Sequence, residues 1–234
     1  MPGYVMHLAM ATKILDNKGI SDKNYITPFL IGNIIPDIKR GNAKKDTHFW
    51  TDEMFKRFDR KPDLELFKQK YQSRMDEPYV FGVFCHLYLD AMYMERYWDK
   101  YLSFYDDDMK PVDGYYEVKK IKLANDDVVY DRSVFFSDSY YYGDYDRMND
   151  YFVAKYGILS PKLDISLIEN IKDIDEICIL KEKEKLINMV ERVNKFRHEQ
   201  KLKNDSFYER NTKILNVKEI DMLIETVAKE LSFY

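Results

Sequence analysis

The chain has 234 residues, of which 45% are hydrophobic, 33% charged and 15% aromatic, with a formal charge of −4. Such a chain can bury a sizeable core without disulfide staples, and its composition excludes a disordered, collagen-like or simple coiled-coil protein. The slight acidity argues against nucleic acid as a main partner, and no apolar run reaches the roughly 18 residues that a membrane helix needs. The opening Met1-Pro2-Gly3-Tyr4-Val5-Met6-His7 has neither the basic region nor the apolar stretch of a secretory signal, so the expected location is cytoplasmic. Cys85 and Cys178, far apart and in apolar surroundings, read as reduced core thiols. The 20 tyrosines beside only 8 glycines and 7 prolines read as coding bias of an AT-rich genome, not as a stacking platform for sugars or bases.

Scarce Gly and Pro with long periodic stretches predict helices. The first runs over 4–15, with Gly19 as its stop. The second opens at Thr27-Pro28 and breaks at Pro36, and it is apolar on nearly every side, hence buried. Residues 37–50 read as loop, and a helix follows over 63–71. Glu77-Pro78 opens the most apolar helix, from Tyr79 to about Trp98. Turn signals at Asp106-Asp107-Asp108, Asp113-Gly114 and Asn125-Asp126-Asp127 mark a small β-hairpin or an irregular insertion around 106–143, with Tyr116–Leu123 and Val128–Phe136 as candidate strands. Helical patterning returns over 144–156, 164–179, 182–202 and 216–232. The last has a capping-box start at Asn216 and Glu219 and the stripe Ile220, Leu223, Ile224, Val227, Leu231. The predicted fold class is all-α, a multi-helix bundle in one domain over 1–234: a core over 1–160 and a helical C-terminal extension over 161–234 packed on it.

Three of the four histidines, His7, His48 and His86, lie in or beside apolar sequence. A buried imidazole without a partner costs about 1–3 kcal/mol, so each needs a hydrogen bond or a metal. Taken singly, each reads as a structural core histidine. The acids alter that reading: Asp90 lies four residues after His86 on the same helix face, and Asp37 follows the Pro that ends another buried helix. Asp37, His48, His86 and Asp90 form a mixed nitrogen and oxygen set suited to Zn²⁺, with manganese or iron as alternatives, and His7 could complete a second ion sharing Asp90. His198, in Arg197-His198-Glu199, reads as surface.

The order His7, Gly32-Asn33-Ile34-Ile35-Pro36-Asp37, His48-Phe49 and Gly82-Val83-Phe84-Cys85-His86-Leu87-Tyr88-Leu89-Asp90 resembles the amino-terminal metal half of the zinc-dependent phospholipase C family, related in fold to S1/P1-type nucleases. The likeness is good over about 1–100, weak over 100–160 and absent beyond. The resemblance implies an α-helical bundle that hydrolyses phosphodiester or phosphomonoester bonds, with Asp37, His48, His86 and Asp90 on one zinc and His7 with bridging Asp90 on a second. Family members with a third zinc use two more histidines and a glutamate after this helix. Residues 91–98 contain no histidine, so one or two ions are expected.

On that reading Asp37 is also the catalytic candidate, accepting a proton from the attacking water or orienting it. Asp46 orients His48 or caps the segment at Thr47, and Glu95 is a weak extra ligand or a surface ion pair. Arg40, Lys44 and Lys45 meet a substrate phosphate or belong to a solvated loop. Trp50, Trp98 and Tyr88 line an apolar pocket or belong to the core. The expected partner is a small-molecule or lipid phosphoester. The alternative is a non-catalytic, metal-stabilised or degenerate relative acting as a binding protein. A His-Asp phosphohydrolase is disfavoured because no histidine is followed by Asp, and a peripheral membrane module because the last helix is mixed in charge.

Overall fold

A computed structural model describes residues 2–124, 128–162, 165–199 and 212–234, with backbone alone at 165, 167 and 196–199. The side chain of His198 therefore lies outside the described residues. Helix α1 (Tyr4–Lys18) ends where Gly19 adopts a left-handed conformation and its N–H reaches the Asp16 and Leu15 carbonyls. Helix α2 (Lys23–Ile34) starts earlier than Thr27 because the Asp22 carboxylate accepts from the Asn24 N–H and caps it there. Pro28 consequently lies inside the helix instead of opening it.

Residues 37–50 are not an open loop. Two short 3₁₀ turns, Ile35–Ile38 and Gly41–Ala43, lead into the single turn α3 (Lys44–Thr47). The Thr51 hydroxyl then caps α4 (Asp52–Lys56) through the Met54 N–H, a turn too short for periodicity to reveal. Helix α5 (Leu64–Tyr71) is capped by Asp63, and Pro78 opens α6 (Pro78–Tyr93) as predicted. A π-helical turn at Met94–Trp98 carries α6 into the short α7 (Asp99–Tyr101).

The insertion is a three-stranded antiparallel sheet. Strands β2 (Lys120–Leu123) and β3 (Val129–Asp131) fall inside the predicted segments, whereas β1 (Leu102–Tyr105) continues directly from α7 and was not anticipated. Leu102 opposes Leu123, and Ile121 opposes Tyr130. Helices α8 (Arg132–Phe135), α9 (Tyr141–Tyr156), α10 (Ile165–Glu169), α11 (Lys183–Glu199) and α12 (Val217–Leu231) complete the chain. The helix expected over 164–179 stops at Glu169. Beyond it Arg74 donates to the Lys172 and Asp173 carbonyls, and the Tyr71 hydroxyl accepts from the Asp175 N–H and donates to Glu176. Side chains from and just after α5 thus meet the backbone demands that a helix would have met itself.

The core is centred on α2 and α6, with α1 against α2, α9 and α12, and α5 against α6. Two glycines set the α2–α6 spacing. A Cβ on Gly32 would lie 2.3 Å from the Tyr79 carbonyl oxygen, and one on Gly82 2.3 Å from that of Phe29. The backbones touch there, which no other residue type permits. Helix α12 buries Ile220, Ile224, Val227 and Leu231 against the bundle, and the Asn216 side chain caps it through the Glu219 N–H. The architecture is mostly helical with one small sheet. No described helix is long and apolar enough to cross a membrane.

Candidate metal centre

The α2–α6 contact brings the Asn33 carbonyl 2.8 Å from His86 Nδ1. Burial, and next the neighbouring His7 ring, push His86 down to about 3, so it is neutral near pH 7. Its Nδ1–H donates to Asn33, which leaves a bare lone pair on Nε2. His48 is oriented by its neighbour: the Thr47 hydroxyl donates to the Pro36 carbonyl at 3.0 Å, and its oxygen lies 3.0 Å from His48 Nδ1. With the hydroxyl proton used, Nδ1–H is the donor, and His48 Nε2 is also a lone pair. Asp46, considered for that orienting role, is exposed, so Thr47 fills it.

His48 Nε2 then stands close to three other side chains. His48 Nε2 lies 3.4 Å from Asp37 Oδ1, 3.4 Å from Asp90 Oδ2 and 3.5 Å from His86 Nε2, and His86 Nε2 is 3.6 Å from Asp90 Oδ2. Ligand atoms around a tetrahedral zinc at about 2.0–2.2 Å lie about 3.3–3.6 Å from each other. The other Asp90 oxygen, Oδ1, is 3.4 Å from His7 Nε2, and the His7 ring stacks on His86 with centroids 3.7 Å apart. Asp90 therefore turns one oxygen to each group, His7 on one side and His48 with His86 on the other.

Both Asp90 oxygens and both His7 ring nitrogens are buried without a hydrogen-bond partner. Burial alone would raise the Asp90 carboxyl, but the imidazoles of His86, His7 and His48 hold it down at about 2. At Asp37 burial is likewise outweighed, first by the Lys44 ammonium and then by His48, and the carboxyl is held well below its ordinary value. Two carboxylates and three imidazoles are thus crowded together out of water, and Asp90 and His7 among them lack hydrogen-bond partners, an arrangement that a bound cation would satisfy. The donor set is that of zinc. Of the five, only Asp37 reaches solvent, at 14% side-chain exposure.

The backbone at Phe49 positions His48 and Trp50. Phe49 takes φ 52°, with its N–H on the Asp46 carbonyl and the Trp50 N–H on that of Lys45, a Schellman close to α3. A left-handed phenylalanine costs about 1–2 kcal/mol; its ring is buried edge-on to Phe67 and Tyr71, which offsets that. The turn sends His48 into the cluster and Trp50 to its outer side, with the rings 5.2 Å apart.

Outside Trp50 opens a cavity of about 870 Å³. Lys44, Trp50 and Trp98 line it, and Lys44 is ion-paired with Asp37, so this lysine joins cluster and cavity. Arg40 is exposed and off the wall, and Lys45 pairs with Asp52 instead. Glu95 makes a surface ion pair with Lys61, and Tyr88 donates to Glu230 away from the cavity. Sequence reasoning missed the orienting Asn33 and Thr47, and the wall residues Arg60 and Arg132. A Thr directly before a candidate ligand was the available clue for the first pair; nothing local marked the arginines. Cys85 is fully buried and Cys178 partly exposed, both as free thiols.

The family described as zinc dependent phospholipase C matches residues 6–93, the stretch from α1 to the end of α6 that carries all five inward-facing side chains. No curated protein and no solved structure matches the chain.

Proposed function

We propose, from the match of residues 6–93 to the zinc dependent phospholipase C family, that this protein is a metal-dependent phosphoester hydrolase. Asp37, His48, His86 and Asp90 would hold one zinc, and His7 with the second oxygen of Asp90 would contribute to another. The observation that carries the reading is the set of 3.4–3.6 Å separations between the imidazole nitrogens and carboxylate oxygens of this buried cluster, in which neither Asp90 oxygen has a hydrogen-bond partner.

When bound, zinc supplies Lewis acidity toward a phosphoryl oxygen and hydroxide near neutral pH. The chain's own residues have separable tasks. Asn33 and Thr47 fix the two tautomers, so that His86 and His48 present lone pairs without reorganisation. Asp37, the one solvent-reaching member, orients a water by accepting its hydrogen bond. Its low basicity suits it to orientation more than to storing a proton. Lys44 presents its ammonium at the boundary of cluster and cavity, where a substrate phosphate would enter. Trp50 forms the apolar side of that entrance.

A second reading is a metal-stabilised binding protein without turnover. The near-complete burial of His7, His48, His86 and Asp90 favours it, since little of the cluster meets solvent. The test is elemental analysis of the purified protein together with hydrolysis of bis(p-nitrophenyl) phosphate and p-nitrophenyl phosphate. Bound zinc with turnover that disappears in Asp90→Asn supports the hydrolase. Stoichiometric zinc without turnover across pH and added divalent ions supports the binding protein.

A further inference from the structure

The far side of the cavity carries the opposite chemistry to the metal cluster. Arg60 and Arg132 both face the Tyr115 ring, with guanidinium carbons 4.0 and 4.4 Å from its centroid. Arg60 also lies 5.2 Å from the Trp50 ring and 4.9 Å from that of Phe55. Neither arginine forms an ion pair among the described residues. Arg60 donates through Nε to the Arg57 carbonyl, and Arg132 through Nη1 to those of Tyr115 and Val118. The groups that act electrostatically on Arg60 are two tyrosines and Arg132 itself, and burial pulls the guanidinium below its ordinary value. Two half-buried cations so close, with no carboxylate between them, are unfavourable unless an anion joins them. The Trp50 indole N–H, buried in the same wall, has no hydrogen-bond partner.

Trp50 stands between the two ends, 5.2 Å from His48 and 5.2 Å from Arg60, so they are within one small molecule of each other. Asp107 and Asp131 are the acids on the wall, and both are exposed. Phe58 and Phe136 supply apolar surface between.

We propose that Arg60 and Arg132 form an anion subsite separate from the metal cluster, so that the cavity takes phosphoesters carrying a second negatively charged group on an aromatic or otherwise apolar scaffold and disfavours those carrying a quaternary ammonium group. The substrate class rests on the hydrolase reading; the anion subsite itself does not. A guanidinium pair binds sulfonate, carboxylate or phosphate by bidentate, charge-assisted hydrogen bonds, and aromatic walls hold the scaffold.

The chain has 2 tryptophans, Trp50 and Trp98, and both line this cavity, so intrinsic fluorescence reports on it directly. The probes are benzenesulfonate, which pairs with guanidinium but ligates zinc poorly and cannot be hydrolysed, and phenyltrimethylammonium, its cationic counterpart. Benzenesulfonate should change the emission saturably and phenyltrimethylammonium should not. R60Q and R132Q should each weaken benzenesulfonate about tenfold or more, while R60K, which keeps the charge but not the two-pronged fork, should lose less than R60Q and shows that the wall still folds. Asp90→Asn, depleted of metal, should bind benzenesulfonate as the parent does. Equal binding of the two probes, wild-type affinity in both R60Q and R132Q, or loss of benzenesulfonate on metal depletion would each overturn the proposal. If subsite binding holds while p-nitrophenyl esters are never turned over, the hydrolase reading alone fails.

Discussion

Thr47 and Asn33 touch no substrate and ligate nothing, yet each settles which nitrogen of a neighbouring imidazole is free. Thr47→Val keeps the shape and removes the acceptor for His48 Nδ1–H. It should lower zinc affinity about 10–100-fold by competition with a chromophoric chelator, and Thr47→Ser should restore it. His86→Ala and Asp90→Asn should each remove most bound zinc by elemental analysis; full retention by both would refute the ligand assignment. Acid should act on the chelated protein in a defined direction. His86 is held near 3 in the fold and is ordinarily near 6.5, so the unfolded chain takes up its proton first. Stability from this group is complete above about pH 6.5 and falls as pH drops toward 3, by about 1.4 kcal/mol per unit at most. Asp90, depressed to about 2, adds a further loss only below the ordinary carboxylate range. The urea midpoint of the chelated protein should therefore decline from pH 6.5 downward, and His86→Gln should flatten that decline above pH 4.

Helices α2 and α6 carry most of the geometry, because Gly32 and Gly82 let their backbones meet. Gly82→Ala would press a methyl into the Phe29 carbonyl. The helices would separate by enough to cost about 1–3 kcal/mol in urea unfolding, and Asn33 would draw away from His86, so zinc affinity should fall with stability. This scale also shows what a single sequence can disclose. His86 and Asp90 were legible because charge-bearing side chains in an apolar helix need a reason, and their four-residue spacing puts them on one face. Asp37 and His48 were legible as a polar residue after a buried, proline-ended helix and a histidine beside apolar sequence, and the family's order of motifs joined them to His86 and Asp90, since no periodicity links two residues on separate turns. Strand β1 was hidden because the apolar α6 pattern flows through the π turn at Met94–Trp98 without punctuation. The truncated α10 was hidden because the side chains that replace its hydrogen bonds come from around α5, about a hundred positions earlier. Arg60 and Arg132 converge on Tyr115 from distant segments, so no window of sequence could pair them.

Across the whole molecule, the C-terminal helix packs on the two helices that carry His7, His86 and Asp90. Helix α12 lies against α1 and α6, and Lys155 and Tyr156 of α9 bind its buried Asp221. Asn216→Ala removes its cap and should cost about 1 kcal/mol while leaving zinc content unchanged, a separation that denaturation and elemental analysis read together.

Asp144 fastens that helix. Its carboxylate accepts the backbone N–H groups of Lys213, Ile214 and Leu215 and pairs with Arg147, all from a fully buried position on α9. One acidic side chain thus works as a buckle where many small proteins use a covalent cross-link. A buckle can be undone without cutting the strap: Asp144→Asn should let the last twenty residues peel away at a temperature where the ion cage is still shut, leaving a shortened, sticky but zinc-loaded remnant to trypsin.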